Sequence, residues 1–250
     1  MADLHDSATN LAEQAAWFTT THWSIVLNAR DPASPQASEA LEKLCRSYWY
    51  PLYVFVRRQG HDEATAKDLT QGFFAKLLEK NYLADVRREK GKFRTFLLVA
   101  IKHFISDERD KARAEKRGGG KTVISLDETA GEDRYRHEPI EVMDAEKLYE
   151  RRWALTLLEQ ARERLKEEYR TGGKAELYER LQLFGSGAND TPAYAEVAPT
   201  LGLSESGLRS AVHRMRQRYG ELVREEVAQT VSSPAEVDEE IRYLIRVVSG

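Results

Sequence analysis

Apolar residues recur along the chain at the three- and four-residue spacing of helices, and strand-like alternation is scarce. The pattern predicts an all-α protein. The clearest stretch is 92–116. There Phe93, Phe96, Leu97, Ala100, Ile101, Phe104 and Ile105 mark one buried face of a helix. A second helix is predicted over 39–58. It ends in the aromatic group Tyr48, Trp49, Tyr50, Tyr53 and Phe55, and Pro51 should kink it or start a new segment. A third, over 62–80, turns Leu69, Phe73, Phe74, Leu77 and Leu78 inward and leaves Asp68 and Gln71 on its other side.

Breaker residues divide these helices. A proline-and-serine stretch at 31–38 separates a polar leader from the first long helix. Gly118-Gly119-Gly120 is the strongest hinge signal, because glycine disfavours helix and strand alike. The acidic segment behind it reads as a linker, with one apolar patch at 123–126 expected to dock. A loop is predicted at 185–190. Ser233 can cap a last helix, with Pro234 in its first position. The expected plan is a leader at 1–38, a helical domain at 39–117, a linker at 118–144, a second helical domain at 145–231 and a tail helix at 232–250. Val237, Ile241, Leu244, Ile245 and Val248 line one side of the tail, a face expected to pack on its own chain.

The second domain carries a helix, a turn and a helix. Thr191 is positioned to cap and Pro192 to begin the first of them. Tyr194, Val197, Ala198 and Leu201 then follow at i, i+3, i+4 and i+7. Gly202 stands where a left-handed residue ends a helix, and Leu203 is expected as a buried turn residue. Ser204 can cap the next helix, and Glu205 suits its positive end. Leu208, Ala211, Val212, Met215, Tyr219 and Leu222 form the inward face. This is the spacing of a helix-turn-helix. Pro199 costs about 3 kcal/mol in a regular helix interior, so the first helix should bend or end early there. Ser206, Arg209, Ser210, His213 and Arg216 or Gln217 form the outward stripe of the second. Short hydroxyls allow close approach to DNA, and arginines fork onto guanine or clamp phosphate.

Charge sharpens the picture. The net charge of −3 hides strong blocks. Residues 87–121 hold twelve Lys/Arg against five Asp/Glu, a local +7, and 122–150 hold nine acids against three bases, a local −6. Residues 209–224 carry +4, and 225–250 return to −4. Lys102, Ser106, Arg109 and Arg113 make a stripe beside the buried face of 92–116, and Arg87, Arg88, Lys90, Lys92 and Arg94 crowd the turn before it. Such a stripe suits nucleic-acid phosphates, whereas a merely solvated face mixes signs.

Composition excludes other classes. The 28.6 kDa chain has room for a core in each of two small domains. Its longest apolar run, 96–101, falls far short of the roughly 20 residues of a membrane span. The opening MADLHDSATN lacks a basic-then-apolar order, so no signal peptide is expected and the chain reads as cytoplasmic. One cysteine, Cys45, allows no internal disulfide and no multi-cysteine zinc site. No paired carboxylates in a glycine-rich loop, His cluster or Ser/His/Asp order suggests catalysis, and no cofactor or metal is expected. His103 and Asp107, at i and i+4, read as a surface pair, and His213 as a surface contact rather than a ligand.

Together these motifs resemble the small extracytoplasmic-function sigma factors of bacterial RNA polymerase. The run from Asp68-Leu69-Thr70-Gln71 through Phe73-Phe74 to Leu77 is similar to the family's region two. Lys92-Phe93-Arg94-Thr95-Phe96 resembles the helix that follows, where the family often has Trp in place of Phe96. Tyr194-Ala195-Glu196-Val197-Ala198, Leu201-Gly202-Leu203-Ser204 and Val212-His213-Arg214-Met215-Arg216 resemble region four. Thr20-Thr21-His22-Trp23-Ser24, Ser47-Tyr48-Trp49-Tyr50-Pro51-Leu52, Lys116-Arg117 before the three glycines, and Arg151-Arg152-Trp153-Ala154-Leu155 resemble a subgroup common in planctomycete-like bacteria. His103 departs from the family's usual Asn, and Leu208 from a small hydroxyl residue.

The resemblance implies a protein that is not an enzyme. Its partners would be core RNA polymerase and promoter DNA, with room for an anti-sigma or other regulatory partner. Asp68, Gln71, Phe74 and Leu77 would bind polymerase. Lys92, Arg94, Lys102, Arg109 and Arg113 would contact DNA from the first domain, and Ser204, Ser206, Arg209, Ser210, His213, Arg214 and Arg216 from the second. Melting would need a pocket for a flipped base near 80–95. The main alternative is a stand-alone helix-turn-helix regulator, which would form a dimer on a palindromic site.

Overall fold

The computed structural model describes residues 22–23, 34–78, 92–114, 135, 143–184 and 193–249. All regular structure among them is helical, as the periodicity requires. The chain divides into two compact units, Met1–Thr156 with Val227–Gly250, and Leu157–Glu226. The division differs from the expected plan. The tail and the start of the second helical domain belong to the first unit, because their buried side chains and backbone bonds are made there.

The first unit is built on three helices, α1 (Pro35–Arg58), α2 (Glu63–Leu78) and α3 (Phe93–Ala114). Each packs on the other two. α1 starts four residues earlier than the periodicity suggests, because Ser34 Oγ accepts from the Ala37 N–H at 3.2 Å and Pro35 suits the first turn. Pro51 is buried inside it and does not end it. Asp62 Oδ1 caps α2 by accepting from the Thr65 N–H at 2.8 Å. The buried face of α2 is Ala66, Thr70, Gln71, Phe73, Phe74 and Leu77. Leu78, expected inward, is 44% exposed, because the stripe through Ala66, Thr70, Phe73 and Leu77 lies a turn-fraction away from it. Gly72 allows close approach to α3: a Cβ there would stand 3.3 Å from the Phe104 ring. Phe93, Leu97, Ala100, Ile101, Phe104 and Ile105 are buried on α3, and Phe96 is half-buried.

Residues outside the three helices complete this core. Trp23, in the expected leader, is 2% exposed and lies 4.8 Å from Phe93 and 5.2 Å from Phe96, centroid to centroid. Trp153 and Tyr149 come from α4 (Ala145–Thr171), which continues into the second unit. Trp153 Nε1 donates to Tyr48 Oη at 2.7 Å, and Tyr149 Oη donates to the Arg94 carbonyl at 2.9 Å. Tyr135, the described residue in the middle of the expected linker, is buried against Tyr53 and Arg57. The patch at 123–126 lies outside the described residues.

The tail closes the unit. Thr230 O accepts from Phe93 N–H at 3.0 Å, satisfying one of the donors that a helix start leaves open. Gln229 O accepts from Trp23 N–H at 3.2 Å. A short 3-10 turn, Pro234–Glu236, leads into α8 (Val237–Ser249), numbered after the helices of the second unit. Val237, Glu240 and Leu244 are buried and Ile241 and Val248 are half-buried, so the tail's apolar face packs on its own chain. Ile245 is 56% exposed.

The second unit holds the rest of α4, α5 (Ala175–Leu181), α6 (Tyr194–Val197) and α7 (Glu205–Ala228), whose last residues return to the first unit. Gly173, at φ +69°, turns the chain after α4. Leu157, Ala161, Leu165, Tyr178, Leu181, Phe184, Leu208, Val212, Met215 and Leu222 are its buried side chains of note. Arg164 reaches Glu225 at 2.5 Å and Glu226 at 2.7 Å, and Arg218 reaches Glu168 at 2.7 Å.

Candidate nucleic-acid interface

The helix-turn-helix is built from short local rules. Thr191 and Pro192 lie outside the described residues, and α6 begins at Tyr194 with Ala193 as its cap and no side-chain cap bond. The α-helix stops at Val197. Pro199 has no N–H to donate and crowds the carbonyl four residues back, so the chain continues as a 3-10 turn, Ala198–Leu201. Gly202 then takes the left-handed conformation at φ +64°, and the Leu203 N–H bonds Ala198 O at 3.0 Å. Leu203 is 36% exposed rather than buried, because the turn points it outward. Ser204 Oγ accepts from Gly207 N–H at 3.1 Å and so caps α7.

Buried and exposed positions on α7 separate cleanly. Leu208, Ala211, Val212, Met215 and Leu222 are buried, and Tyr219 is half-buried with its hydroxyl donating to Leu158 O at 3.1 Å. Ser204, Ser206, Arg209, Ser210, His213, Arg214, Arg216 and Gln217 are all exposed on the unit's surface. Arg209 is held by Glu205 at 2.6 Å and lies 4.4 Å from the Tyr194 ring, itself stacked on Phe184. Arg216 donates to Phe184 O, which ties it to the 3-10 turn Gln182–Phe184 that follows α5. The arrangement presents hydroxyls, one imidazole and guanidinium groups along the first turns of one helix. Those groups can donate to phosphates and base edges.

The first unit's basic residues fare differently. Lys102 is paired with Glu146 at 2.5 Å, and Arg109 is exposed with its guanidinium 3.5 Å from His61 Nε2. Burial and then the Arg109 charge hold the His61 pKa below its ordinary value. The Arg113 side chain and residues 80–91 of the 80–95 stretch, near which a flipped-base pocket was expected, lie outside the described residues. Asp107 pairs with Lys76 at 3.7 Å rather than with His103.

Arg94 is a correction. Expected as a DNA contact, it is 8% exposed and bonded to Glu240 at 2.6 Å and Glu150 at 3.1 Å. The rings of Tyr243 and Trp153 lie 4.0 and 5.1 Å from its guanidinium. Burial alone would weaken its charge. The Glu240 hydrogen bond and field outweigh that and raise its pKa above the usual arginine value. Lys92 shares the cluster, at 2.7 Å from Glu240 and 2.9 Å from Glu239. Burial opposes the Lys92 charge, and the two carboxylates more than offset it. Burial and then the Glu150 hydrogen bond push the Tyr243 hydroxyl up to about 12.

The expected polymerase-binding residues also divide. Asp68 is exposed, but Gln71, Phe74 and Leu77 are 8%, 3% and 1% exposed. As placed, these three pack inside the helical bundle and offer a partner little surface, because they sit on the stripe that faces α1 and α3.

The buried Glu240 was missed in the periodicity. It stands three residues after Val237 and four before Leu244, inside the tail's apolar stripe. An acid there signals a buried cation to meet it. Among the described residues no helix is long and apolar enough to cross a membrane, and no three His, Cys, Asp or Glu side chains group to hold a metal ion. No family model matches the chain, and no curated protein or solved structure matches it.

Proposed function

We propose that this protein is a sigma factor: it binds core RNA polymerase, recognises promoter DNA and directs melting and transcription initiation. The observation that carries the proposal is the helix-turn-helix. A left-handed Gly202 and a Ser204 cap set α7 with its polar, arginine-bearing side exposed over Ser206, Arg209, Ser210, His213 and Arg214. That is the chemistry of a helix that reads the major groove. The resemblance of the Asp68–Leu77 and 92–100 segments to region two adds the polymerase. The protein acts without catalysis, cofactor or metal in this proposal.

The test is binding to purified bacterial core polymerase, followed by run-off transcription from promoter-bearing DNA. Asp68→Ala is the interface probe, since Asp68 is exposed and its loss leaves the core packed. Phe74→Ala is a folding control, expected to destabilise by about 3–5 kcal/mol because the ring is buried. Promoter-dependent transcripts that Asp68→Ala weakens, at unchanged stability, support the sigma factor. No binding at low salt refutes it.

Burial of Gln71, Phe74 and Leu77 favours a second reading, a stand-alone helix-turn-helix regulator. That protein would bind DNA without polymerase, as a dimer on a two-fold site.

A further inference from the structure

Lys92 and Arg94 close a run of five cations in the sequence, yet two carboxylates of the tail stand on them. Glu240 bonds Arg94 at 2.6 Å and meets Lys92 at 2.7 Å, and Glu239 holds Lys92 at 2.9 Å. Carboxylate oxygens at these distances take the positions that phosphate oxygens take on ammonium and guanidinium groups. Tyr243, one turn on, lays its ring 4.0 Å from the same guanidinium. Three side chains of α8 thus occupy the two cations from one side. α8 is 13 residues long, and its buried anchors are Val237, Glu240 and Leu244. A short element with so few buried groups opens at lower free energy than the aromatic core beneath it.

We infer that α8 is an autoinhibitory strap, in which Glu239 and Glu240 stand in for a nucleic-acid phosphate on Lys92 and withhold that cation until the strap opens, while Arg94, which Glu150 of α4 also holds at 3.1 Å, anchors the strap through Glu240. The inference rests on the reading of the first unit as a nucleic-acid-binding surface. Opening and binding are linked: whatever lifts the strap raises affinity for nucleic acid, and bound nucleic acid lifts the strap by the same factor. Each cation returned to a phosphate contact releases a counterion, which at moderate salt is worth about tenfold in affinity and adds about one to the salt slope.

The experiment uses the full chain and a fluorescein-labelled oligonucleotide, single-stranded and as duplex, with anisotropy read across a salt series. The variants are Glu239→Gln/Glu240→Gln and the same pair with Lys92→Gln. The amide introduced by Glu240→Gln keeps an acceptor for Arg94 while removing the charge. Binding about tenfold tighter than wild type, with a steeper salt slope, supports the strap, provided the gain is lost when Lys92→Gln is added. Affinity and slope equal to wild type overturn it and leave the nucleic-acid reading standing. Folded protein that binds neither oligonucleotide at low salt, in any variant, overturns both. Should the double variant lose its helical circular dichroism, hydrogen exchange on wild type decides. Faster exchange of the 237–249 amides on adding single-stranded DNA supports the strap, and unchanged or slower exchange overturns it.

Discussion

Glu240→Ala should unfold the first unit at markedly lower temperature, whereas Glu239→Ala, one residue away, should barely matter. Both acids meet Lys92, but they differ in burial. Glu240 is fully buried and is the nearest carboxylate to Arg94, at 2.6 Å, while the Glu239 side chain is 68% exposed. Removing one partner of a buried ion pair costs about 3–5 kcal/mol, since the remaining charge stays desolvated. Glu150 at 3.1 Å and the Tyr243 ring still hold Arg94, which places the cost near about 3 kcal/mol. An exposed pair contributes about 0–1 kcal/mol. For a unit of this size each kcal/mol moves Tm by about 2–4 °C, so Glu240→Ala should lower it by about 6–12 °C.

Tryptophan fluorescence follows this unit, because the described tryptophans, Trp23, Trp49 and Trp153, all belong to it. Replacing both charges, as Arg94→Met with Glu240→Leu, should recover much of the loss, since no buried charge is then left unpaired. A Glu240→Ala midpoint equal to that of Glu239→Ala would refute the argument. It would mean that the tail is held by Val237 and Leu244 and that the ion cluster is incidental to stability.

Gly202→Ala should cost about 1–2 kcal/mol from its left-handed backbone alone, because nothing lies within 4 Å of the added Cβ; Gly202→Asn should cost less, and hydrogen exchange over 194–226 measures both. Arg214→Ala should weaken DNA binding evenly across sequences and lower the salt slope by about one, read by anisotropy; a loss confined to one sequence would assign it to base readout instead. Stability should fall on acidification. The Thr65 N–H lowers the Asp62 pKa, the Lys92 hydrogen bond lowers that of Glu239, and the Arg218 hydrogen bond lowers that of Glu168. These contributions are present above the ordinary values of 3.8 and 4.5 and are lost as pH falls through the lowered ones. The raised Lys92 pKa adds stability below its ordinary 10.5 that is lost as pH rises through the folded value. Urea midpoints across pH check both limbs, and a midpoint that climbs below about pH 4 contradicts the carboxylate assignments.

The helices were legible wherever one physical signal dominated. The buried face of α3 was plain because its large side chains repeat at helical spacing without interruption, and the turn after α6 because Pro199 breaks a helix, Gly202 accepts the left-handed backbone and Ser204 supplies a cap. α2 was misjudged by a fraction of a turn. Leu69, Phe73, Phe74, Leu77 and Leu78 span more of the circumference than one contact can cover, so hydrophobicity alone could not say that Leu78 faces out while Gln71 and Thr70 face in. The first unit's reach was hidden for another reason. Trp23 and the tail are distant from α3 in sequence, and they meet it through Phe93, whose ring takes Trp23 and whose N–H takes Thr230 O. No local periodicity encodes such a meeting.

The same limit applies to charge. A local excess of cations describes a field, but which cations a polyanion can reach depends on pairing set by distant residues. Lys92 and Arg94 belong to the more basic block, yet tail carboxylates hold both, whereas Ser206, Ser210, His213 and Arg214 stand exposed on the less basic α7. On the proposed nucleic-acid reading, the cations left open while the tail is docked are therefore chiefly those of the helix-turn-helix. A phosphate could reach Lys92 in the first unit only by displacing Glu239 and Glu240, and that exchange of one anion for another is what the proposed strap requires.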